Sequence, residues 1–432
     1  MNCRLLLQKN NISGEKQGVI CMKRILKYIS AACMAVALSN AVFANDNETA
    51  GAQGVDFMNE KETARIENVM ARLRRGEEVT VAAFGGSITT GYASSPITEK
   101  SWAALVGQWW KNKAAECNGK VRYMNEGVSG TDSAFGAARV QDHLLNNNVD
   151  LVILEFAMND QWLETNVRKR SYEGVIRQIE ADSKRGILAL YVNERTAPQK
   201  GQQYEQQPIC EYYHIPFVSW KDCANKEFNN KPNWDSWFDG SESVHPNNDG
   251  HAQIAKYIIE KLDDIWSKLP ADKDLAPIAT ELPKPLTDTS YQYLTFYTSD
   301  NIEPLTNTGW EKTSPVHNEW VAHGQAHEGW STTKELAELT FKVHASSINV
   351  LYAESDGFRD CEAWVENPDG TKGKVVAMRN AQASRKGYLG WCCHEVVNGT
   401  EAKDYILHIR CPKRRPVDQG KETDIIGFIA SK

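Results

Sequence analysis

Ser87 stands in the run Phe84-Gly85-Gly86-Ser87-Ile88-Thr89, where a β-rich stretch ends and small residues let the backbone turn sharply into a helical segment. Such a turn exposes a hydroxyl, and in an open parallel sheet ligands bind beyond the carboxyl ends of the strands. Gly-Gly-Ser occurs in many ordinary loops, and the G-x-S-x-G elbow is absent because Thr89 holds its last position. Two further loops give the serine a context. One is Asn125-Glu126-Gly127-Val128-Ser129-Gly130-Thr131, and the other is Ala157-Met158-Asn159-Asp160, each directly after an apolar run. If the strand order is 2-1-3, the three loops are neighbours. Gly130 then offers an unobstructed backbone N–H, and the Asn159 side chain a second donor, so that with the Ser87 N–H they would form an oxyanion hole. Taken singly, a turn glycine and a helix-capping asparagine explain the last two loops equally well.

The fourth piece is Glu242-Ser243-Val244-His245-Pro246-Asn247, just ahead of the last long helical pattern. A histidine on a loop fixed by proline can reach Ser87 and take its proton at Nε2. A carboxylate at Nδ1 would hold the required tautomer and stabilise the imidazolium. Glu242 lies three residues before His245 and is the favoured orienting acid. Asp239 and a backbone carbonyl remain alternatives. His251, on the following helix, reads as structural.

Together these four blocks resemble the SGNH hydrolase family, also called GDSL-like esterases, over approximately Val79 to Lys268. The resemblance implies a flavodoxin-like three-layer α/β/α fold with Ser87 as nucleophile, Gly130 and Asn159 as oxyanion donors and His245 as base. Two departures stand out: Gly-Gly-Ser-Ile-Thr replaces the commoner Gly-Asp-Ser-Leu, and Glu242 occupies the place usually held by aspartate.

The elements that must carry these loops are visible as alternation. A helical stretch, Phe57 to Arg75, precedes apolar runs at 79–84, 121–124, 151–156, 187–192 and 216–220. Helical periodicity fills the gaps near 102–115, 135–146, 167–184 and 204–213, and 250–268 closes the series. Strand-helix alternation of this kind makes a parallel sheet covered by helices. Four prolines between Pro270 and Pro285 then mark a linker, set at 270–287. Beyond it, alternating aromatic and β-branched runs at 293–297, 338–343, 348–353, 374–378, 405–410 and 425–429 read as a smaller, jelly-roll-like β-sandwich over 288–432. Asn367-Pro368-Asp369-Gly370 is a hairpin turn within it.

The chain has 432 residues, 49 Lys plus Arg against 56 Asp plus Glu, and a net charge of -7. That balance disfavours a nucleic-acid partner, and no internal apolar run is long enough to span a membrane. Met22-Lys23-Arg24, the small apolar run to Leu38 and the ending Val42-Phe43-Ala44 read as a signal peptide, with cleavage after Ala44 and Met22 as the true start. Loss of residues 1–44 removes six bases and one acid, leaving 43 against 55, a net charge of -12. The catalytic domain is set at 45–269, and export to the periplasm or the medium is expected. An oxidising destination suggests a Cys210–Cys223 disulfide, with buried free thiols the equal alternative.

Trp102, Trp162, Trp234 and Trp237 have either a sugar-stacking or a core-packing fate. Trp162, close behind Asn159, is the best substrate wall. His317, His323 and His327 lack a metal-binding pattern, as does Cys392-Cys393-His394, and neither a Walker loop nor a dinucleotide fingerprint occurs. The expectation is an exported serine esterase that needs neither metal nor organic cofactor and deacylates, most of all deacetylates, a polysaccharide or oligosaccharide. The carbohydrate is inferred from resemblance to exported multidomain family members. A lipid or thioester hydrolase of the same fold, and a non-catalytic carbohydrate-binding protein, are the competing readings. Oligomeric state has no signature in the sequence.

Overall fold

The computed structural model describes residues 60–270, 274–313, 328–380 and 389–432. The expected signal peptide and His317, His323 and His327 lie outside the described residues. The described residues cluster as one compact unit. Among the described residues no helix is long and apolar enough to cross a membrane.

The first half is a five-stranded parallel sheet flanked by helices. Its strands are β1 (Glu78–Gly85), β2 (Lys120–Gly127), β3 (Leu151–Glu155), β4 (Gly186–Tyr191) and β5 (Phe217–Ser219), in spatial order β2-β1-β3-β4-β5. The 2-1-3 order that brings the serine, glycine and asparagine loops side by side is therefore present. Register fixes their level, since Gly85 pairs with Gly127 on one side and Glu155 on the other. β1, β3 and β4 are buried on both faces, as strands covered by two helical layers must be.

The helices are α1 (Ala64–Arg74), α2 (Ser87–Thr90), α3 (Ile97–Lys100), α4 (Trp102–Glu116), α5 (Ser133–Val140), α6 (Thr165–Glu180), α7 (Gln203–Tyr212), α8 (Trp220–Glu227) and α9 (Asn248–Lys268). α5, α6 and α7 pack on the face presenting Ala82, Phe84, Val152 and Leu154. α1, α4, α8 and α9 cover the opposite face, with Val81, Ala83, Leu151 and Ile153. Capping residues start several of them: Ser101, Asp132, Ser219 and Asn247 each accept a hydrogen bond from a backbone N–H in the first turn of α4, α5, α8 and α9.

The second half is antiparallel. Its strands are β6 (Leu294–Tyr297), β7 (Thr306–Asn307), β8 (Glu311–Thr313), β9 (Gly329–Thr332), β10 (Glu338–Ser355), β11 (Cys361–Glu366), β12 (Val376–Met378), β13 (Leu389–Arg410) and β14 (Thr423–Ser431). They run β12-β11-β13-β10-β14-β9-β8, with β6 on β14 and β7 on β10. Asn367–Gly370 makes the expected turn, Gly370 donating to the Asn367 carbonyl at a φ of +79°.

Cys210 and Cys223 are not joined; both thiols are free. Cys210 is buried among the α5–α7 layer beside the Tyr172 hydroxyl, whereas Cys223 packs against the opposite core. The sheet stands between them, so their closeness in sequence gives no closeness in space.

Candidate active site

Ser87 opens the four-residue helix α2 immediately after β1, and its Oγ lies 2.8 Å from Nε2 of His245. On the other side of the ring, His245 Nδ1 is 3.3 Å from Glu242 Oε2. The second Glu242 oxygen accepts from the N–H groups of Ser243 and Val244 at 2.9 Å and from that of His245 at 3.3 Å. Burial works against a charge on Glu242. The N–H groups of Val244 and His245 and the imidazole outweigh it and hold the carboxyl below its usual range. Glutamate's extra methylene is thus accommodated by curling the carboxylate back over its own loop. Asp239 is turned elsewhere, accepting from the Asn247 side chain at 2.9 Å.

The Asn159 side chain sits against the serine turn: a Cβ on Gly86 would overlap Asn159 Oδ1 and come within 3.2 Å of the Thr131 carbonyl. All three loops therefore converge at Gly86. Gly130 has a φ of +76°, a backbone conformation that favours glycine. Its loop is closed by the Thr131 N–H and hydroxyl, both donating to the Val128 carbonyl, and Val128 N–H donates to Gly85. The constellation places a hydroxyl, an imidazole, a carboxylate and amide donors at one rim, which suits nucleophilic attack on a carbonyl with removal of the hydroxyl proton.

Three supporting residues escaped the sequence reading. Glu155 is fully buried at the end of β3 and accepts from the Thr89 hydroxyl at 3.1 Å. Burial pushes its carboxyl up to about 7, against hydrogen bonds from Thr89 and from the backbone of Met158, Gly86 and Ala157. A charged residue inside the apolar run Leu151–Phe156 was the available signal. Arg139, buried in α5, donates to the carbonyls of Gly85 at 2.9 Å and Glu126 at 2.7 Å, tying the ends of β1 and β2. Tyr92 lays its ring on His245, with centroids 4.5 Å apart. His251 supports the Tyr92 segment: its Nδ1 accepts from the Trp102 N–H at 3.3 Å, which leaves Nε2 to donate to the Tyr92 carbonyl at 3.2 Å. Its burial lowers its pKa to about 4.

Of the tryptophans, Trp102 and Trp237 belong to the core and Trp234 packs edge-on against Trp237. Trp162 stands apart at 79% exposure, at the end of the short helical turn Asn159–Trp162.

Fold and site define a carboxylic ester hydrolase. Residues 83–253, which carry the site, match the model of the GDSL-like Lipase/Acylhydrolase family. The fold as a whole is similar to that of a two-domain esterase (CEX) active on acetylated mannans, at 24% identity and a TM-score of 0.72, over 88% of this chain and 96% of that one. The same esterase co-crystallized with mannopentaose matches at 24% identity and a TM-score of 0.71, over 87% and 98%. Axe2, an acetylxylan esterase from Geobacillus stearothermophilus, matches at 19% identity and a TM-score of 0.36, over 45% of this chain and 98% of its own. No curated protein matches the sequence.

Proposed function

We propose that the protein is an exported serine esterase that removes acetyl groups from a polysaccharide or oligosaccharide through an acyl-enzyme. The observation that carries this reading is the 2.8 Å approach of His245 Nε2 to Ser87 Oγ, with Glu242 behind the ring. Ser87 Oγ attacks the ester carbonyl as its proton passes to His245 Nε2. The Gly130 N–H and the Asn159 amide stabilise the oxyanion. His245 then returns the proton to the departing sugar oxygen as the acyl C–O bond breaks, leaving acetyl on Ser87. Water, deprotonated by the same nitrogen, attacks the acyl-enzyme; acetate leaves and Ser87 regains its proton. Glu242 keeps the Nδ1–H tautomer throughout and compensates the imidazolium. No step requires a metal or organic cofactor.

The glycan is supported by similarity in fold to an esterase active on acetylated mannans and by Trp162, an exposed indole three residues after Asn159 that suits stacking on a sugar face. Acetate release from acetylated mannan, xylan and their oligosaccharides is the test, with Ser87→Ala as blank. The expected result is release by the native chain and none by the variant. A preference for long-chain aryl esters over acetate, with no release from any glycan, would replace this reading with a lipid or thioester hydrolase.

A further inference from the structure

The loop carrying Gly130 is held from outside its own domain. In its N-terminal half β13 pairs with β10 alone among the described strands, Trp391 lying opposite Ala353, whereas β11 joins β13 only from Ile406 onward. An edge N–H needs a partner when it is buried. Here the Trp391 N–H donates to the carbonyl of Gly130, 3.4 Å away. The Trp391 ring, 5% exposed, stacks on Phe135 with centroids 6.2 Å apart and planes at 23°. Phe135 lies in the first turn of α5, its N–H donating to the capping carboxylate of Asp132. One residue of the antiparallel region therefore grips the loop at its glycine and again at the helix into which it leads.

The consequence is geometric. The first domain fixes the loop before Gly130, through Val128 N–H on Gly85. At a positive φ a glycine has several accessible conformations, and only a hold on its far peptide selects one. The carbonyl of Gly130 is that far peptide. Four residues further along β13, Glu395 pairs with Arg170 of α6, and the same core contains Trp391, Cys393, Leu351 and the inner faces of α5 and α6.

We propose that Trp391 is a positioning residue for ester hydrolysis: its main-chain N–H and its ring hold the Gly130 loop so that the Gly130 N–H faces the developing oxyanion. This rests on Gly130 being an oxyanion donor, as in the mechanism above. The antiparallel region is then a component of the catalytic unit, acting on turnover even for a substrate too small to touch it.

An aryl acetate is such a substrate. Displacement of a reacting or stabilising group by about 1 Å costs on the order of 100-fold. Trp391→Leu is expected to lower kcat about 10- to 100-fold while KM stays within about twofold, the signature of an interaction made in the transition state. Trp391→Phe restores the stack and recovers most of the rate. Glu395→Gln weakens the same interface away from Gly130; it lowers Tm and leaves kcat unchanged. A Trp391→Leu protein that folds and retains the kcat of Glu395→Gln overturns the proposal. Should Trp391→Leu fail to fold, Phe135→Leu removes the stack from the other side, and native kcat in that variant overturns it equally. A native chain with no activity on any ester refutes instead the esterase mechanism beneath it, so the two failures are told apart.

Discussion

Glu155 joins the nucleophile turn to the asparagine turn through one buried carboxyl, and two consequences follow from its burial. Its oxygens collect the Thr89 hydroxyl and backbone N–H groups from both turns, so they set the spacing between Ser87 and Asn159. Burial also pushes the carboxyl up from 4.5 to about 7. Between those values the folded chain keeps a proton that the unfolded chain has released, so this group makes stability fall as pH rises, by about 3 kcal/mol across the window. Asp132, raised by burial to about 6, and Glu180, raised to about 8, act in the same direction, so the difference between variant and native protein isolates Glu155. Glu155→Gln is expected to flatten that part of the slope in denaturant titrations between pH 5 and 8. It should also lower kcat about tenfold, because a neutral amide accepts more weakly than a carboxylate from the Thr89 hydroxyl that ties the two turns together. A slope identical to that of the native protein would show that Glu155 does not titrate there.

At the scale of elements, the site is made by strand ends approaching one another too closely for side chains. A Cβ on Gly85 would overlap the Glu155 backbone carbonyl, and one on Gly86 would overlap the Asn159 side chain. The two glycines therefore fail differently. Gly85→Ala meets rigid backbone within the sheet and should lower Tm sharply, whereas Gly86→Ala meets an amide that can swing away. Gly86→Ala is thus expected to fold while losing about 100-fold or more in kcat, the cost of one displaced oxyanion donor. Circular dichroism with aryl acetate kinetics separates them, and native kcat in Gly86→Ala would remove Asn159 from the oxyanion site. The parallel half was legible because helical and apolar runs alternate and its loops carry short, chemically distinct blocks. The antiparallel half was less so. β10 read as two strands, 338–343 and 348–353, because register shifts between Ala345 and Ser347 and between Ile348 and Asn349 break the alternation that marks a strand. The first half of β13, with Cys392-Cys393-His394, carries no clean alternation at all, and it is the half that reaches Gly130. The three-residue spacing of Glu242 and His245 was visible in the sequence, with Asp239 and a backbone carbonyl as alternatives; Tyr92 and Arg139 were not, since only the fold brings them to the site.

For the whole molecule, the proline-rich segment is the informative one. Its composition reads as a spacer, and its described residues through Tyr293 form neither helix nor strand. They are nonetheless bound along α6. Glu173 accepts from the Leu286 and Thr287 N–H groups at 2.6 and 2.8 Å, and Arg177 donates to the Pro283 carbonyl and the Gln292 side chain at 2.7 and 2.6 Å. Gln178 donates to the Tyr291 carbonyl at 2.7 Å, and Gly174 lets Tyr291 approach α6 where a Cβ would clash. Beyond this strap, Leu351, Ala353, Phe358, Trp391, Cys393 and Ile429 complete the core begun by α5 and α6. A flexible tether would give two independent melting units, whereas a shared core couples them, because unfolding either half exposes apolar surface of the other. Calorimetry of the full chain should therefore give one transition, with calorimetric and van't Hoff enthalpies equal. Glu173→Gln, which weakens the strap, should lower that single Tm without splitting it. Two resolved transitions in the native protein, with esterase activity lost only at the one assigned to the parallel half, would mean that the antiparallel region melts alone and holds nothing in the site.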